Sequence, residues 1–439
     1  MKSIKSFFQT TISRAGYPYA YLVIASLSVI SRFKSKFQST VTHFESPYNG
    51  QDILIVALYE KGKLRPDIVN MMIEAKKQNL YIIAINTLKV IQVKQLHKYI
   101  DCYIEKPNFG RDFGSYKTGF MHVFKNKLHL SCNRLIMLND SIFYSKKGVD
   151  SMLKKLLISD YEVLGVTENY EIEYHLGSFC LSLSKNILNN KKFIKFWKKY
   201  KLTDIRPKVI KRGEMGLTKI LKKVVSSEAN IASIYDLQWI ESVIKAANNR
   251  SEILTSLFNF TRHSDNVQWK KYTLKNVTEN INNLYMLEKP KTANSQNVIL
   301  DTNMAGISNK DSLQQDTNLF NLTKTIDGLV DYYLKNTTVE NIDYFKEVIM
   351  ENMYAEFMIS FTSGSQIHNQ AIILSRYGCP ITKLDGIYRG VWDYLDVDKI
   401  TNNFEDQEAS DFKSFIYKRP YGEDNLIGWK NTAFMYGLI

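Results

Sequence analysis

Four short constellations carry residue types able to do chemistry. The first is Asn108-Phe109-Gly110-Arg111-Asp112-Phe113-Gly114. It follows an apolar run and opens an expected helix. A helix N-terminus attracts phosphate through its free amides and dipole, and glycine lets the backbone approach a ligand. Arg111 adds a planar cationic fork suited to phosphate, and Asp112 can orient that fork or bond a base or ribose. The alternative is a glycine-rich turn with a surface Arg–Asp pair. The second is Asn139-Asp140-Ser141, directly after the apolar run Arg134 to Leu138. A carboxylate at the carboxyl end of a parallel strand points into the usual ligand crevice of an α/β sheet. Mg²⁺ or Mn²⁺ bridging to a diphosphate needs only one or two carboxylates, so Asp140 is a candidate metal ligand; the alternative is a helix N-cap. The third, His175 to Phe179 (HLGSF), enters a strand after a loop bearing Glu168, Glu171 and Glu173, which suits a polar site; the alternative is a structural histidine. The fourth is Glu214, the only acidic residue between Arg206 and Lys223. Among cations its carboxylate stays ionised and can hold an acceptor hydroxyl or take its proton. An acidic first helical turn is the simpler reading.

These residues need a scaffold, and the pattern supplies one. Ile53 to Leu58 (ILIVAL) and Tyr81 to Ile85 (YIIAI) are continuous apolar runs, as expected of strands covered on both faces. Pro66 fits the first turn of a helix with Ile68, Met71, Met72 and Ala75 on one side. A helix around Ile91 to Tyr99 leads to a short strand, Cys102 to Ile104. The alternation of strand and helix predicts a parallel sheet with right-handed crossovers. Further strands are expected at Glu162 to Val166 and Ser178 to Leu183, helices at Phe193 to Tyr200 and Leu217 to Lys223, and an extended piece around Val209. Beyond them lie helical patterns at Leu319 to Leu334, Ile342 to Phe361 and Asn369 to Tyr377. Four parts follow: a basic helical segment over 1–50, an α/β domain over 51–288 that carries the four constellations, a polar linker over 289–315, and a mainly helical region over 316–439.

Composition narrows the classes. The 439 residues are 44% hydrophobic with 8 prolines, which excludes a disordered or low-complexity chain. Cys102, Cys132, Cys180 and Cys379 lie far apart with no CxxC pair, which argues against a disulfide framework or a cysteine zinc site and makes a reducing cytosol the simplest compartment. The net charge is +14, and the segment from Lys185 to Lys223 holds 12 Lys and 2 Arg against only Asp204 and Glu214. Such a balance suits an anionic partner, phosphorylated substrate or acidic membrane, although most of these lysines fit a solvated surface. Tyr17 to Ile30 is apolar but short of the roughly 18 residues that a spanning helix needs. Its basic flanks allow an interfacial helix at the inner membrane face.

Taken together, NxGRDxG, a strand ending in NDS, HLxSF and GExxLT resemble the rhamnan synthesis protein F family of bacterial glycosyltransferases. A second patch, Gln366-Ile367-His368 followed by Gly378-Cys379-Pro380 and Lys383, is similar to the family's His-containing segment and its Gly-x-Pro turn with a lysine. The resemblance implies a GT-A-like, mostly parallel Rossmann-type sheet flanked by helices, a nucleoside diphosphate sugar donor, and a cell-surface polysaccharide or lipid-linked saccharide acceptor. It implies that Asp140 stands where such enzymes bind a divalent metal, with Asn139 in place of a first aspartate. Asn108, Arg111, Asp112 and Ser141 then line the nucleotide-sugar cleft. His175 and Ser178 lie near the sugar, and Glu214 lies nearest the acceptor as the base of an inverting transfer.

Two other classes would explain part of the sequence. A nucleic-acid-binding protein fits the charge and the 27 tyrosines, but the aromatics are dispersed and no RRM, KH or zinc-finger pattern occurs, so no nucleic acid is expected. A non-catalytic membrane scaffold fits the basic amino-terminal segment. Neither requires a strand-end Asp140 paired with the Arg111 turn.

Overall fold

The computed structural model describes residues 2–260, 276, 280, 283, 326–334, 341–417, 429–435 and 437–438. The polar stretch expected as a linker lies outside them. The described chain forms two compact units, one of residues 1–236 with 364–439 and one of 237–363.

The first unit is built on a sheet of strands β1 (Val41–Glu45), β2 (Ile53–Leu58), β3 (Tyr81–Asn86), β4 (Cys102–Glu105), β5 (Arg134–Asn139), β7 (Val163–Gly165), β10 (Cys180–Ser184) and β11 (Ile231–Ser233), while β6 (Ile142–Tyr144) lies outside it and β8 (Glu168–Asn169) and β9 (His175–Leu176) pair with each other. Their spatial order is β1-β4-β3-β2-β5-β10-β7-β11. The β2–β3, β3–β4, β2–β5 and β7–β11 pairs are parallel; β1–β4, β5–β10 and β10–β7 are antiparallel. The expected mostly parallel sheet, flanked by helices, is therefore present. Every residue of β2, β3 and β5 is buried, which accounts for their unbroken apolar runs.

From β2 the chain steps outward through β3 to β4, then returns to place β5 on the other side of β2. That reversal opens a crevice at the carboxyl ends of β2 and β5, where ligands bind in open α/β sheets. Helix α2 (Pro66–Lys77) starts with its proline in the first turn. Helix α3 (Arg111–Lys125) carries Phe113, Tyr116 and Phe120 into the core. There, after α4 (Lys146–Leu157) and α5 (Lys185–Asn189), Trp197 of α6 (Lys191–Lys199) stacks on Phe120, with ring centroids 4.4 Å apart.

The structure corrects several local expectations. Asn139-Asp140-Ser141 caps no helix; it turns from β5 directly into β6 (Ile142–Tyr144). Around Val209 the chain is helical rather than extended. Pro207 fits the first turn of α7 (Arg206–Val209), which runs through a π-helical turn, Ile210–Glu214, into α8 (Met215–Lys222). The helix expected at 91–99 is a short 3₁₀ turn, Val93–Lys98. The last helical pattern is two short helices, Gln366–Asn369 and Ala371–Arg376. After them β12 (Ile381–Lys383) pairs antiparallel with β6, Lys383 opposite Ile142. Helix α1 (Lys2–Lys36) packs through Ala20 and Ile24 against Ile205, Ala433 and Leu438.

The second unit is helical where described. Arg250 bridges Glu347 at 2.8 Å and Glu351 at 2.7 Å on helix Ile342–Phe361, whose Phe345, Ile349, Met353, Phe357 and Phe361 are buried.

Candidate active site

The site starts where β2 and β5 end. Ala57 lies opposite Asn139 in the parallel register, so Tyr59 and Asp140 meet just beyond the last rung. The Tyr59 amide donates to the Asp140 carboxylate, and the Asp140 amide donates back to Ala57 O at 3.1 Å. Burial pushes the Asp140 carboxyl up to about 6. Arg65 and the Tyr59 amide pull it down, and the charge of Asp112 adds to the rise. Arg65 clamps this turn: its guanidinium donates to Asp140 O and Ile142 O, each at 2.8 Å, and grips Asp67 with two bonds of 3.0 Å. Arg65 escaped the sequence reading because it stands in an ordinary turn; the signal was Arg-Pro-Asp, a fork held at a fixed angle by the proline after it.

A polar chain crosses the crevice from there. Asn139 Nδ2 donates to Asp112 at 2.8 Å, while Asn139 Oδ1 accepts from the Ser141 hydroxyl at 2.6 Å. The Ser141 hydroxyl in turn accepts from Lys383 Nζ at 2.6 Å. The ammonium also lies 4.9 Å above the Phe179 ring. Burial lowers the Lys383 pKa, against the pull of Asp112, Glu214 and Asp385. Asn139 is therefore a connector: its oxygen is committed to Ser141, its amide to Asp112.

Asp112 is placed by the glycines before and after it. Gly110 (φ 94°) and Arg111 (φ 50°) both take left-handed backbone, and the Gly110 amide donates to Asp204 at 2.7 Å. A Cβ on Gly114 would stand 2.5 Å from Phe109 O, so the loop can lie on the helix only because Gly114 has none. Lys106 fastens the same loop, donating to Pro107 O at 2.7 Å and Phe109 O at 2.9 Å; burial lowers it to about 8. Arg111 and Asn108 are exposed at the rim.

The opposite wall holds Glu214 and His175. The π turn brings Glu214 Oε2 to 3.6 Å from His175 Nε2. His175 is buried, and its Nδ1 lies 2.8 Å from Glu173 O, so Nδ1 carries the proton. Burial alone would lower the His175 pKa, but Glu214 and the Glu173 carbonyl outweigh it and the net shift is upward. For Glu214 burial acts upward, yet His175, Lys383 and Arg206 hold it below the usual carboxylate range. Beside them Arg206 bridges Asp385 at 2.8 Å, with His368 Nε2 at 3.8 Å from the same oxygen. The three loop glutamates divide: Glu168 accepts from the Tyr170 and Tyr174 hydroxyls, Glu173 pairs with Lys219 at 2.8 Å, and the Glu171 amide donates to Asn169. Ser178 is buried in the turn before β10, next to Phe179, whose carbonyl accepts from the Asn139 amide.

Asp112, Asn139, Asp140, Ser141, His175 and Glu214 thus gather at one crevice, with Asn108 and Arg111 exposed at its edge and Ser178 buried in the neighbouring turn. Lys383, Asp385 and Arg206 complete it. A divalent cation fits beside Asp140 on its chemistry: a buried carboxylate with a second carboxylate acting on it and one oxygen bonded to an amide. Among the described residues, the group of three candidate ligands that lie mutually close is elsewhere. It comprises Glu45, Cys102 and His122, at the amino-terminal end of β4.

Residues 80–228 match the profile of the family described as rhamnan synthesis protein F, which bears out the resemblance over the stretch holding most of this site. That match supports the glycosyltransferase class. An uncharacterized protein y4gN of Sinorhizobium fredii is 22% identical over 242 residues, 53% of this chain and 62% of that protein. The virulence protein VirA of Vibrio anguillarum is 25% identical over 34% of this chain and 48% of its own length. The chain therefore spans about half to three-fifths of these relatives' lengths. Among solved structures, the glycosyltransferase GlyE of Streptococcus pneumoniae TIGR4 aligns with 45% of this chain and 50% of its own at 11% identity and TM-score 0.25. A glycosyltransferase involved in glycosylation of the major capsid of PBCV-1 aligns with 46% of this chain and 96% of its own at 11% identity and TM-score 0.24. Overlaps this partial decide nothing about the site. No helix among the described residues is long and apolar enough to cross a membrane.

Proposed function

We propose that the chain is a GT-A-type glycosyltransferase. It moves a sugar, rhamnose by the family's association, from a nucleoside diphosphate donor to a hydroxyl of a cell-surface polysaccharide or lipid-linked oligosaccharide, with inversion. The observation that carries this reading is the meeting of Asp140 and Asp112, at the switch point of the sheet, with the Glu214–His175 pair and Lys383 across one crevice.

The residues divide the work. The donor's diphosphate lies toward Asp140, between the Arg111 rim and the Lys383 ammonium. A divalent metal held by Asp140 would supply electrostatic stabilisation of the leaving diphosphate. Lys383 supplies positive charge from the protein itself, fixed by Ser141 before the donor arrives, so little reorganisation is needed as charge develops. The acceptor oxygen forms its bond to the anomeric carbon as the bond to the diphosphate oxygen breaks, and its proton passes to Glu214. His175 holds Glu214 in place from behind, its own orientation fixed by Glu173 O. A carboxylate with a lowered pKa is a weak base, but it is ionised throughout the neutral range and suffices where the leaving group departs ahead of proton transfer.

Calorimetric titration with dTDP, UDP and GDP, with Mn²⁺ or Mg²⁺ and then with EDTA, tests this on the wild type and Asp140→Ala. The expected result is metal-dependent binding of one diphosphate, lost in the variant. Binding that survives both EDTA and the substitution removes the metal role. A folded protein that binds none of the three refutes the nucleotide-sugar reading.

A further inference from the structure

A second basic feature lies outside the crevice. α6 is amphipathic: Phe193 and Trp197 face the core, and Lys192, Lys195 and Lys199 recur at helical spacing on the other side. With Lys201, Arg212 and Tyr200 these lysines line a surface cavity of about 470 Å³ floored by Phe196 and Ile220. No ion pair to any of its five cations occurs among the described residues; the nearby bridges are Lys219 to Glu173 and Lys222 to Glu228. Tyr200 is only 7% exposed, and its hydroxyl has no hydrogen-bond partner among the described residues. Burial raises the Tyr200 pKa, so the hydroxyl remains a donor. The hydroxyl lies below the surface, so the face is defined by its five cations, none of them offset by a carboxylate among the described residues.

The neighbouring helix says which anion. α1 packs its Ala20 and Ile24 stripe on Ile205, its Ser28 hydroxyl accepts from the Asp204 amide at 3.4 Å, and Lys208 lies 5.2 Å over the Tyr21 ring. It is therefore anchored on the segment that follows Lys201 directly. Its opposite face exposes Leu22 (65%), Val29 (67%), Ile30 (51%) and Phe33 (62%), beside exposed Arg32, Lys34 and Lys36. A soluble phosphate needs the cavity but not this apolar stripe. An acidic bilayer uses both: the stripe enters the boundary between headgroups and acyl chains, and the cations meet the headgroups.

We infer that α1 and the Lys192–Arg212 cavity form one docking surface for an acidic membrane, in which the cavity takes the phosphate of an anionic phospholipid headgroup. The inference stands on this geometry and not on the transferase reading; vesicle binding is read without any turnover, so either can fail alone.

The test is co-sedimentation of the full chain with vesicles of phosphatidylcholine alone or mixed equally with phosphatidylglycerol. Binding is expected only to the mixture. A juxtamembrane cation contributes roughly fivefold in binding, so K192Q/K195Q/K199Q should weaken it by about 100-fold. The matched variant K89Q/K94Q/K98Q, which removes three exposed lysines elsewhere, should weaken it far less. Leu22→Ser with Phe33→Ser should weaken vesicle binding and leave binding of glycerol 3-phosphate unchanged. Equal loss in the two lysine variants overturns the proposal, because net charge alone then explains adhesion. So does full vesicle binding by the Leu22/Phe33 variant, which would assign the cavity to a soluble phosphate. Loss of binding to a mixed-sequence oligonucleotide in K192Q/K195Q/K199Q, with vesicle binding intact, would assign it to nucleic acid instead.

Discussion

Replacing Glu214 by Gln removes one charge from a pair and little else, so it isolates what that pair does. The carboxylate stands 3.6 Å from His175 Nε2, with side-chain exposures of 28% and 3%. At an effective dielectric constant of about 20 the bare attraction is about 4–5 kcal/mol, before desolvation of the histidine is subtracted. Exposed pairs net about 0–1 kcal/mol, and breaking a buried pair costs about 3–5. A half-open pair falls between, at about 2 kcal/mol. For a unit of about 300 residues that is a melting shift of about 3 °C. The pH dependence has a definite sign. The folded His175 pKa is raised, so its contribution is complete below its unfolded value near 6.5 and is lost as pH rises through the folded value. The folded Glu214 pKa is lowered, so its contribution is complete above its unfolded value near 4.5 and is lost as pH falls through the folded value. The difference in melting temperature between wild type and Glu214→Gln should therefore be widest between about pH 4.5 and 6.5 and should narrow on the alkaline side. Thermal denaturation across that range measures it. A difference that stays constant through neutrality would refute the ion pair. In the transfer assay the same variant should lose about 10²–10⁴-fold in turnover; wild-type turnover would move the base elsewhere.

Lys383→Met removes the ammonium on Ser141 and should cost about 10²–10³-fold in turnover with the circular dichroism unchanged; undiminished turnover would leave Lys383 a purely structural role. Arg65→Lys keeps the charge but cannot span Asp67, Asp140 O and Ile142 O together. Urea denaturation should show a loss of about 1–3 kcal/mol from the carbonyl bonds left unmade, and no measurable loss would mean that the clamp is dispensable. Gly114→Ala puts a methyl where the Phe109 carbonyl lies, so the 107–110 loop must move. The expected cost is about 1–3 kcal/mol in urea denaturation, together with weaker diphosphate binding; unchanged binding would show that this loop does not shape the donor site.

The elements legible in the sequence are those whose burial is complete. β2, β3 and β5 announce themselves because both faces are covered, and the position of Asp140 follows from the end of β5. The short pieces are illegible for the matching reason. β6 and β12 have three residues each, too few to show a period, and each exists because the other pairs with it across more than two hundred residues of chain. The π turn is hidden too: Val209 and Ile210 are β-branched and read as extended, whereas Pro207 starts a helix that α8 then continues. That turn aims Glu214 at His175, so the pair could be named from its residue types but not joined from them. Arg65 is a hub because of backbone carbonyls distant in sequence, which no local pattern contains.

The site and the family match therefore differ in extent. Residues 80–228 supply Asp112, Asp140, His175, Arg206 and Glu214. The cation facing Ser141 and the carboxylate facing Arg206 come from Lys383 and Asp385. Those two are held by contacts that join the strand-end turn to the carboxyl-terminal segment: the Leu384 amide donates to Ser141 O at 3.0 Å, the Ser145 amide to Pro380 O at 2.7 Å, and the Lys146 amide to Glu408 at 2.7 Å. Ser141 is thus gripped from both sides, by Asn139 of its own turn and by Lys383 of the returning chain. A displacement of the carboxyl-terminal segment is felt first at the Asn139–Ser141–Lys383 chain and, through Asn139, at Asp112. The electrostatics of the crevice depend on a segment that the family match does not reach, and variation in that segment can retune the candidate site while the matched residues stay the same.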